Sequence, residues 1–273
     1  MNMQINQGNE QQAAFAFNAQ AAVFDNLYAA NRIVQYKRDR VRNHLMQYVK
    51  QGSHVLELNA GTGDDAVFMA QQGYRVHATD IAAGMQEKLI EKIVNHQLKA
   101  LVSTEICSYT ALNTLAGKGP YDCIFSNFAG LNCTGELDVV LDSFDKLLKP
   151  GGIVSLVILP KFCLWESLLI IKGKFKTATR RFFSSKGRKA KIDGNTFTCW
   201  YYSPGFIINQ LKNNFELLKI EGLCTIVPPS YIEHFAEKYP KVFSNLCQME
   251  NKLKCKWPWK YIGDYYIISL RKK

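Results

Sequence analysis

The chain has 273 residues, of which 47% are hydrophobic and 21% are charged, enough for one globular core with a small appendage. Basic residues number 34 and acidic residues 23, and the net charge of +11 permits nucleic acid, an anionic membrane or an acidic ligand without selecting one. The polar start lacks the pattern of a signal peptide and no apolar run is long enough to cross a bilayer, so we expect a cytoplasmic protein.

The N-terminal part of the chain changes character near residue 13. Residues 1–12 are polar and are predicted to be a disordered tail. Over residues 13–50 apolar side chains recur at helical spacing, which predicts a cap of two or three helices. Gly52 is expected to end the last of them.

Residues 51–160 alternate between strand and helix patterns. The predicted strands are "HVLEL", "YRVHATD", "LVSTEICS", "YDCIFSNF" and "IVSLVILP". The helical segment "ELDVVLDSFDKLLKPGG" is expected to end at Pro150, Gly151 and Gly152. This alternation predicts a parallel sheet with helices on both faces.

The alternation stops after Pro160, and residues 161–196 are predicted to be an inserted lid. An apolar helical stretch is followed there by a basic one, made of Lys172, Lys174, Lys176, Arg180, Arg181, Lys186, Arg188, Lys189 and Lys191. Residues 172–191 suit contact with an anionic membrane or an acyl carrier protein, or a solvated basic lid. Residues 197–273 return to strand and helix patterns and end in the strand "GDYYIISLRKK".

The eight cysteines do not indicate a metal site. None forms a C-x-x-C pair, and no histidine and cysteine spacing resembles a zinc site. Several lie in apolar runs, so buried reduced thiols are expected and no metal is predicted.

The turn "NAGTGDD" after the first strand is the strongest indication of a ligand site. In an open parallel sheet the ligand lies beyond the carboxyl ends of the strands. Gly61 and Gly63 let the backbone approach a ligand, and Asp80, at the end of the next strand, suits a ribose diol. Asn59 stands where familiar turns carry another glycine, and asparagine tolerates left-handed geometry.

Two ligand classes fit such a turn. A dinucleotide needs a third glycine and bare backbone beside its pyrophosphate, whereas Asp64 and Asp65 would repel it. S-adenosylmethionine has no phosphate and carries a positive sulfonium and an ammonium, which neighbouring carboxylates tolerate. The acidic residues therefore favour S-adenosylmethionine over NAD.

The segment "VLELNAGTGDDAVFMAQQGYRVHATDIAAGM" resembles the nucleotide-binding half of class I S-adenosylmethionine-dependent methyltransferases. "YDCIFSNFAGLNC" and "LLKPGGIVSLVIL" are similar to the fourth-strand and fifth-strand segments of that family, and "FNAQAAVFDNLYAANRIVQYKR" to the helical cap of a subset. "FCLWESLLIIKGKFKTATRRF" and "VPPSYIEHF" look like a bacterial subgroup. The resemblance implies a Rossmann-like, doubly wound, mostly parallel seven-stranded sheet with an antiparallel last strand.

The resemblance also implies the cofactor contacts, with S-adenosylhomocysteine as product. The methionine end would be held by Glu57, Asn59, Ala60, Gly61, Thr62 and Gly63. Asp80 would bind the ribose, with Ile81 and Met85 on the adenine.

Five further site residues follow from the same resemblance. Ser108 and Tyr109 occupy the place where the family often has an acid on the adenine amine. Asn127 and Phe128 would lie beside the methyl group. Arg38 matches a basic position that would pair with the methionine carboxylate.

The acceptor site is less marked in the sequence. Candidate substrate contacts are Tyr28, Asn132, Trp165, Glu166 and Tyr201. His234 and Tyr202 are candidate bases, although ordinary structural roles explain each of these residues as well.

Methyl transfer to an oxygen of a small apolar or aromatic metabolite, lipid-like or carrier-bound, is the preferred function. The net charge keeps a tRNA or protein methyltransferase as an alternative, although no nucleic-acid-binding module is recognised. A protein that only binds S-adenosylmethionine is the third possibility.

Overall fold

A computed structural model describes residues 2–117, 119–173, 175, 179–182, 186–232 and 234–273. Its N-terminal part consists of helices α1 (Asn2–Gln20), α2 (Phe24–Ala29) and α3 (Arg32–Leu45). The helix α1 corrects the prediction of a disordered tail over residues 1–12. Its polar side chains Asn9 and Glu10 are buried against the rest of the protein, so contacts distant in sequence hold a segment with few apolar residues.

The predicted alternation over residues 51–160 is present in the structure. The strands are β1 (His54–Leu58), β2 (Arg75–Asp80), β3 (Val102–Ile106), β4 (Tyr121–Ser126) and β5 (Leu148–Ile158). The helices between them are α4 (Asp64–Gln71), α5 (Ala83–Asn95) and α6 (Leu137–Leu147). Helix α6 ends before Pro150, and the Pro-Gly-Gly run lies in the first part of β5, where Gly151 has a φ of 75° and the pairing with β4 passes from Leu148 to Ile153.

The chain after Pro160 begins with short elements and continues with longer ones. These elements are α7 (Leu164–Ser167), a 3₁₀ turn (Leu168–Lys172), β6 (Arg188–Ile192), β7 (Asn195–Cys199), α8 (Pro204–Leu211), β8 (Phe215–Leu223), α9 (Phe235–Lys238), α10 (Pro240–Leu253) and β9 (Tyr265–Lys272). Strands β6 and β7 form a separate hairpin that crosses the predicted boundary between 196 and 197. The pairing of the two strands, which the sequence does not reveal, places that boundary inside one unit.

Seven strands form the main sheet in the order β3-β2-β1-β4-β5-β9-β8. Strands β1 to β5 pair in parallel, and β9 runs antiparallel to both of its neighbours. The predicted Rossmann-like sheet with one antiparallel last strand is therefore confirmed. The order reverses between β1 and β4, which places the ligand crevice at the carboxyl ends of these strands.

Two apolar layers cover the faces of this sheet. Leu56 and Leu58 point to the face covered by α6 and α8, whereas Val55 points to the face covered by α3, α4 and α5. Alternation along β1 therefore sends Glu57 to the second face, beneath α3. In the described part of the chain, no helix has the length and hydropathy needed to cross a membrane.

Candidate functional site

A cavity lies at the carboxyl ends of β1, β2 and β4, beneath helices α1 and α3. It holds about 860 Å³ of space outside protein atoms, part of it open to solvent. The predicted cofactor residues that line it are Arg38, Glu57, Asn59, Ala60, Gly61, Thr62, Asp80, Ile81, Met85, Tyr109, Asn127 and Phe128. Gly63 and Ser108 are absent from its wall. Gly63 packs against Leu89, and the Ser108 hydroxyl donates a hydrogen bond to Glu10.

The turn after β1 has the left-handed backbone expected of it. Asn59, Gly61 and Gly63 have φ values of 49°, 58° and 80°. A Cβ atom at Gly63 would lie 2.1 Å from Leu89 Cδ1, so this glycine permits packing against α5. A Cβ atom at Gly61 would meet no described atom within 4 Å, and Gly61 lines the cavity. The missing side chain at Gly61 thus leaves room for a ligand.

Asp80 holds the two neighbouring turns together. Its carboxylate accepts hydrogen bonds from the Gly61 and Ala82 backbone N–H groups, each at 2.8 Å. Burial raises its pKa above the ordinary value, and these hydrogen bonds oppose the rise. An ionised carboxylate offers about four lone-pair positions, so Asp80 keeps acceptor capacity toward the cavity.

Glu57 is a buried acid with an unused oxygen. Glu57 is 2% exposed, and its Oε2 atom has no hydrogen-bond partner among the described residues. Burial, followed by the nearby Asp65 carboxylate, raises the pKa of Glu57 well above its ordinary value, against the opposing effect of Arg42. A buried acceptor left without a donor is costly, so this oxygen suits a cationic or hydrogen-donating ligand.

The two aspartates that follow the turn are neutralised by helix α3. Arg38 Nη1 lies 3.2 Å from Asp64 Oδ2, and Arg42 Nε lies 2.7 Å from Asp65 Oδ1. The pKa of Asp64 is consequently lowered despite burial, chiefly by Arg38. Arg38, predicted to pair with a ligand carboxylate, is paired with protein carboxylates in this structure.

The loop after β4 is coupled to the turn after β1. Asn127 Nδ2 donates to Asp65 Oδ2 at 2.7 Å, and Asn59 Nδ2 donates to the Asn127 carbonyl at 3.0 Å. A Cβ atom at Gly130 would lie 2.2 Å from Asn59 Cγ, so a glycine is required where the loops meet. The loop geometry places Phe128, with φ 49°, on the cavity wall.

A buried lysine lies behind Phe128. Lys37 is 2% exposed, and its Nζ donates to Ser230 Oγ at 3.0 Å. The same Nζ lies 5.4 Å and 4.8 Å from the ring centres of Phe128 and Tyr265. Among the described residues no carboxylate lies within ion-pair distance of it. Lys37 is not distinguished in the sequence, because the burial of one lysine on a basic helix does not change the residue pattern.

Helices α1 and α2 supply cavity residues that the sequence analysis missed. Glu10, Ala13, Ala14 and Phe17 line the cavity from α1, and Phe24 lines it from α2. The four α1 residues follow the spacing i, i+3, i+4 and i+7 of one helical face. That spacing was a usable signal, but the polar composition around Glu10 favoured a disordered tail.

The predicted acceptor contacts lie outside the cavity lining. Tyr28 packs its ring on Phe24 at 5.1 Å. Asn132 is buried, and its amide binds the backbone of Leu159 and Trp200. Asn132 serves the fold, because its amide already has protein partners, whereas Tyr28 is exposed and packs on Phe24 at the edge of the cavity.

The other predicted acceptor residues lie within residues 161–196 or contact them. Tyr201 lies under the Arg181 guanidinium at 5.2 Å, and Trp165 lies on α7. Glu166 pairs with Arg180 and Arg181, of which Arg181 is buried and also pairs with Asp264 at 2.7 Å. Arg181 therefore differs from the solvated basic residue that the sequence predicts, since it is buried and neutralises buried acids. Lys174 and Lys176 fall outside the described residues.

The two candidate bases lie outside the cavity lining. Tyr202 is buried in the main core and donates its hydroxyl to the Thr134 carbonyl at 2.6 Å, and burial raises its pKa. His234 is exposed at the start of α9, with φ 57°, and does not line the cavity. Neither side chain therefore reaches the ligand crevice in this structure.

Comparison with known proteins gives partial sequence matches. Residues 55–152 match the family model described as a methyltransferase domain. An uncharacterized methyltransferase from Synechocystis is 28% identical over 138 residues, covering 48% of this chain and 60% of that protein. A hybrid PKS-NRPS synthetase from Hapsidospora irregularis is 28% identical over 107 residues, covering 38% of this chain and 3% of that protein. The chain spans less than two thirds of the length of both relatives.

Solved structures resemble the whole fold at low sequence identity. A Listeria monocytogenes protein described as an S-adenosylmethionine-dependent methyltransferase has a TM-score of 0.61 and 15% identity, covering 88% of this chain and 97% of that one. A Burkholderia thailandensis 1,6-didemethyltoxoflavin N1-methyltransferase has a TM-score of 0.56 and 13% identity, covering 96% of this chain and 88% of that one. A geranyl diphosphate C-methyltransferase from Streptomyces coelicolor has a TM-score of 0.55 and 14% identity, covering 86% of this chain and 77% of that one. At these identities the likeness establishes the fold.

Proposed function

We propose that this chain, whose residues 55–152 form a class I S-adenosylmethionine-dependent methyltransferase domain, methylates an oxygen of a small metabolite that reaches the site as an anion. The methyltransferase family match and the fold of the S-adenosylmethionine-dependent neighbours support the predicted domain class and S-adenosylmethionine as its cofactor. The acceptor, with an apolar or aromatic body and an acidic hydroxyl or carboxyl group, is the proposal.

The cavity residues fit this cofactor. Asp80 would accept hydrogen bonds from the ribose hydroxyls, and the unpartnered Glu57 Oε2 would receive the ammonium group. Ile81 and Met85 would pack on the base. S-adenosylmethionine supplies a methyl group already activated by a positive sulfur. The chain's main contribution is then to position the acceptor in line with that group and to exclude water.

Lys37 is the single observation that carries the acceptor proposal. Its buried ammonium group has no carboxylate partner among the described residues and lies behind Phe128, at the end of β4. A buried cation held by one hydroxyl and two aromatic rings still favours a nearby anion, so a carboxylate or phenolate oxygen beside Phe128 would be stabilised by Lys37. A protonated amine would be repelled, which favours oxygen over amine nitrogen as the methylated atom.

An anionic acceptor also explains how the site works without a dedicated base. Proton removal is required only for a nucleophile that arrives protonated. The candidate bases Tyr202 and His234 lie away from the cavity, and no histidine is among the described residues that line it. The fold leaves the acceptor open, since the names of the Burkholderia and Streptomyces enzymes give nitrogen and carbon as their acceptors.

The proposal is tested by S-adenosylhomocysteine formation with matched acceptors. Acidic phenols and carboxylic acids should be turned over, and amines of the same size should not. Lys37→Met should lower kcat/KM for the anionic acceptor by about 10- to 100-fold, since it removes one charged partner. Affinity for S-adenosylhomocysteine should be unchanged, and Lys37→Arg should retain more activity than Lys37→Met.

The exposed residue Lys50 provides the matched control. Lys50→Met removes the same charge away from the cavity and should leave kcat/KM unaltered. Faster turnover of amines, or an unaltered kcat/KM in Lys37→Met, would contradict the proposal. Tight binding of S-adenosylhomocysteine without turnover of any acceptor would favour a protein that only binds the cofactor.

Salt dependence separates this proposal from methylation of tRNA or protein. Binding to a polyanion weakens steeply as salt increases, whereas a small acceptor held by Lys37 should show a weak dependence. Contact of residues 172–191 with an anionic membrane or an acyl carrier protein stays a prediction.

A further inference from the structure

Glu10 is a second buried acid at the cavity with an unused oxygen. The residue is 4% exposed and lines the cavity from helix α1. Its Oε2 atom accepts a hydrogen bond from the Ser108 hydroxyl. Its Oε1 atom is buried and has no hydrogen-bond partner among the described residues. An acceptor in this state is costly unless a ligand supplies a donor.

Apolar side chains line the same cavity as Glu10. Ala14 and Phe17 follow Glu10 on the same face of α1, while Met85 and Tyr109 come from α5 and the turn after β3. The same cavity contains Asp80, the proposed ribose contact. A flat apolar group with one hydrogen-bond donor at its edge matches such surroundings.

We infer that Glu10 Oε1 accepts a hydrogen bond from the exocyclic amino group of the cofactor's adenine. The inference rests on the proposed use of S-adenosylmethionine. It assigns to helix α1 the recognition of the base, which the sequence analysis had placed at Ser108. Ser108 instead orients the Glu10 carboxylate through its hydroxyl and is a positioning residue.

Helix α1 is fixed so that Glu10 has one position. The side chain of Asn9 donates to the Cys133 carbonyl at 2.7 Å and accepts from the Thr198 backbone N–H at 2.6 Å. Phe17 packs against Phe197 of the β6–β7 hairpin, with ring centres 5.9 Å apart. Because these contacts hold α1 on the protein, the Glu10 carboxylate is preorganised for a ligand.

The test compares two ligands in the full-length protein by titration calorimetry. One is S-adenosylhomocysteine, and the other is its analogue in which hydrogen replaces the amino group of the base. The wild type should prefer S-adenosylhomocysteine by about 10- to 100-fold, because the analogue leaves Oε1 unpaired. Glu10→Met, which has no acceptor, should bind the two ligands within about threefold of each other. Glu10→Gln should keep most of the preference, since its amide oxygen still accepts.

Asn9→Ala is the matched control on the same helix. It loosens the docking of α1, so it should weaken both ligands alike and leave their affinity ratio as in the wild type. Wild-type binding of S-adenosylhomocysteine without preference over the analogue would overturn the assignment of Glu10 and leave the proposed function standing. An unchanged ratio in Glu10→Met would do the same. Failure of the wild type to bind S-adenosylhomocysteine would overturn both.

Discussion

Two groups of buried carboxylates in this protein differ in how their oxygens are used. Glu250 and Glu221 lie between α3, β8 and α10, where Glu250 accepts from Tyr36, Arg40 and four backbone N–H groups between residues 224 and 227. Glu221 pairs with Arg40, His44 and Lys254. At the cavity, Glu10 and Glu57 each keep one buried oxygen without a hydrogen-bond partner in the described part of the chain.

This difference separates a structural role from a binding role. Every oxygen of the Glu250 and Glu221 pair has a protein partner, so that network stabilises the packing of α3 and α10 and needs no ligand. The unpaired oxygens of Glu10 and Glu57 cost free energy in the ligand-free protein. Such a cost is tolerated where a ligand later supplies the donor.

The largest expected effect comes from breaking the satisfied network. Glu250→Ala removes one of the two carboxylates that neutralise the buried Arg40, and it leaves four backbone N–H groups without their acceptor, which should cost about 3–5 kcal/mol in the free energy of unfolding. Denaturant unfolding measures this loss, and the affinity of the folded protein for S-adenosylhomocysteine should be unchanged.

An exposed glutamate gives the matched control for that change. Glu216 pairs with Arg271 at 3.3 Å, and both side chains are about half exposed. Glu216→Ala should therefore cost less than about 1 kcal/mol. Equal costs for the two variants would show that burial does not decide the strength of these pairs.

The same network predicts a specific response to acid. His44 and Lys254 hold the pKa of Glu221 at about 2, despite the opposing effect of burial and below the ordinary 4.5. A lowered pKa contributes stability that is complete above pH 4.5 and is lost as the pH falls through about 2. The contribution is about 3 kcal/mol. In Glu221→Gln the pH dependence of unfolding should flatten over this range, and an unaltered acid limb would contradict the assignment.

A cavity carboxylate should instead affect binding. Asp80→Ala removes the proposed ribose acceptor and should lower the affinity for S-adenosylhomocysteine by about 100-fold, with the fold retained. Asp122→Ala is the control, because Asp122 also accepts a backbone N–H, from His54 at 2.7 Å, but lies at the start of β4. An unchanged affinity in Asp80→Ala would leave Asp80 as a structural residue of the turn.

The sheet and its ligand turn could be predicted because their causes are local. Strand and helix periods follow one another along residues 51–160, and Asn59 takes the left-handed backbone expected of it. The acceptor residues could not be predicted in this way. Asn132 and Tyr202 are polar or aromatic residues near strand ends, and only their partners Trp200 and Thr134, distant in sequence, show that they serve the fold.

Helix α1 is a second case in which contacts distant in sequence decide the structure. Its polar first half carries too little apolar surface to indicate a docked helix. The hydrogen bonds of Asn9 with Cys133 and Thr198 hold the helix, and these join residues more than 120 positions apart. The polar composition therefore predicts a tail around Glu10, although the spacing of Glu10, Ala13, Ala14 and Phe17 is that of one helical face.

The smallest expected effect is a pH dependence of cofactor affinity that arises from the unpaired oxygen of Glu57. In the free protein, burial and the Asp65 carboxylate raise the pKa of Glu57 above 4.5, so it holds a proton at pH values where an ordinary glutamate is ionised. A ligand ammonium group on its Oε2 requires the carboxylate, and binding then releases that proton. Affinity for S-adenosylhomocysteine should consequently rise with pH up to the raised pKa, by at most about tenfold per pH unit, and level off above it.

Calorimetry in two buffers with different ionisation enthalpies measures the released proton directly. Glu57→Gln should abolish the release and the pH dependence attributed to Glu57, and its affinity should stay near the low-pH limit of the wild type. The fold should be unharmed, because the change removes a buried acid that lacks a full set of partners. Proton release that persists in Glu57→Gln would assign the coupling to another cavity acid, of which Asp80, with its pKa also raised by burial, is the next to test.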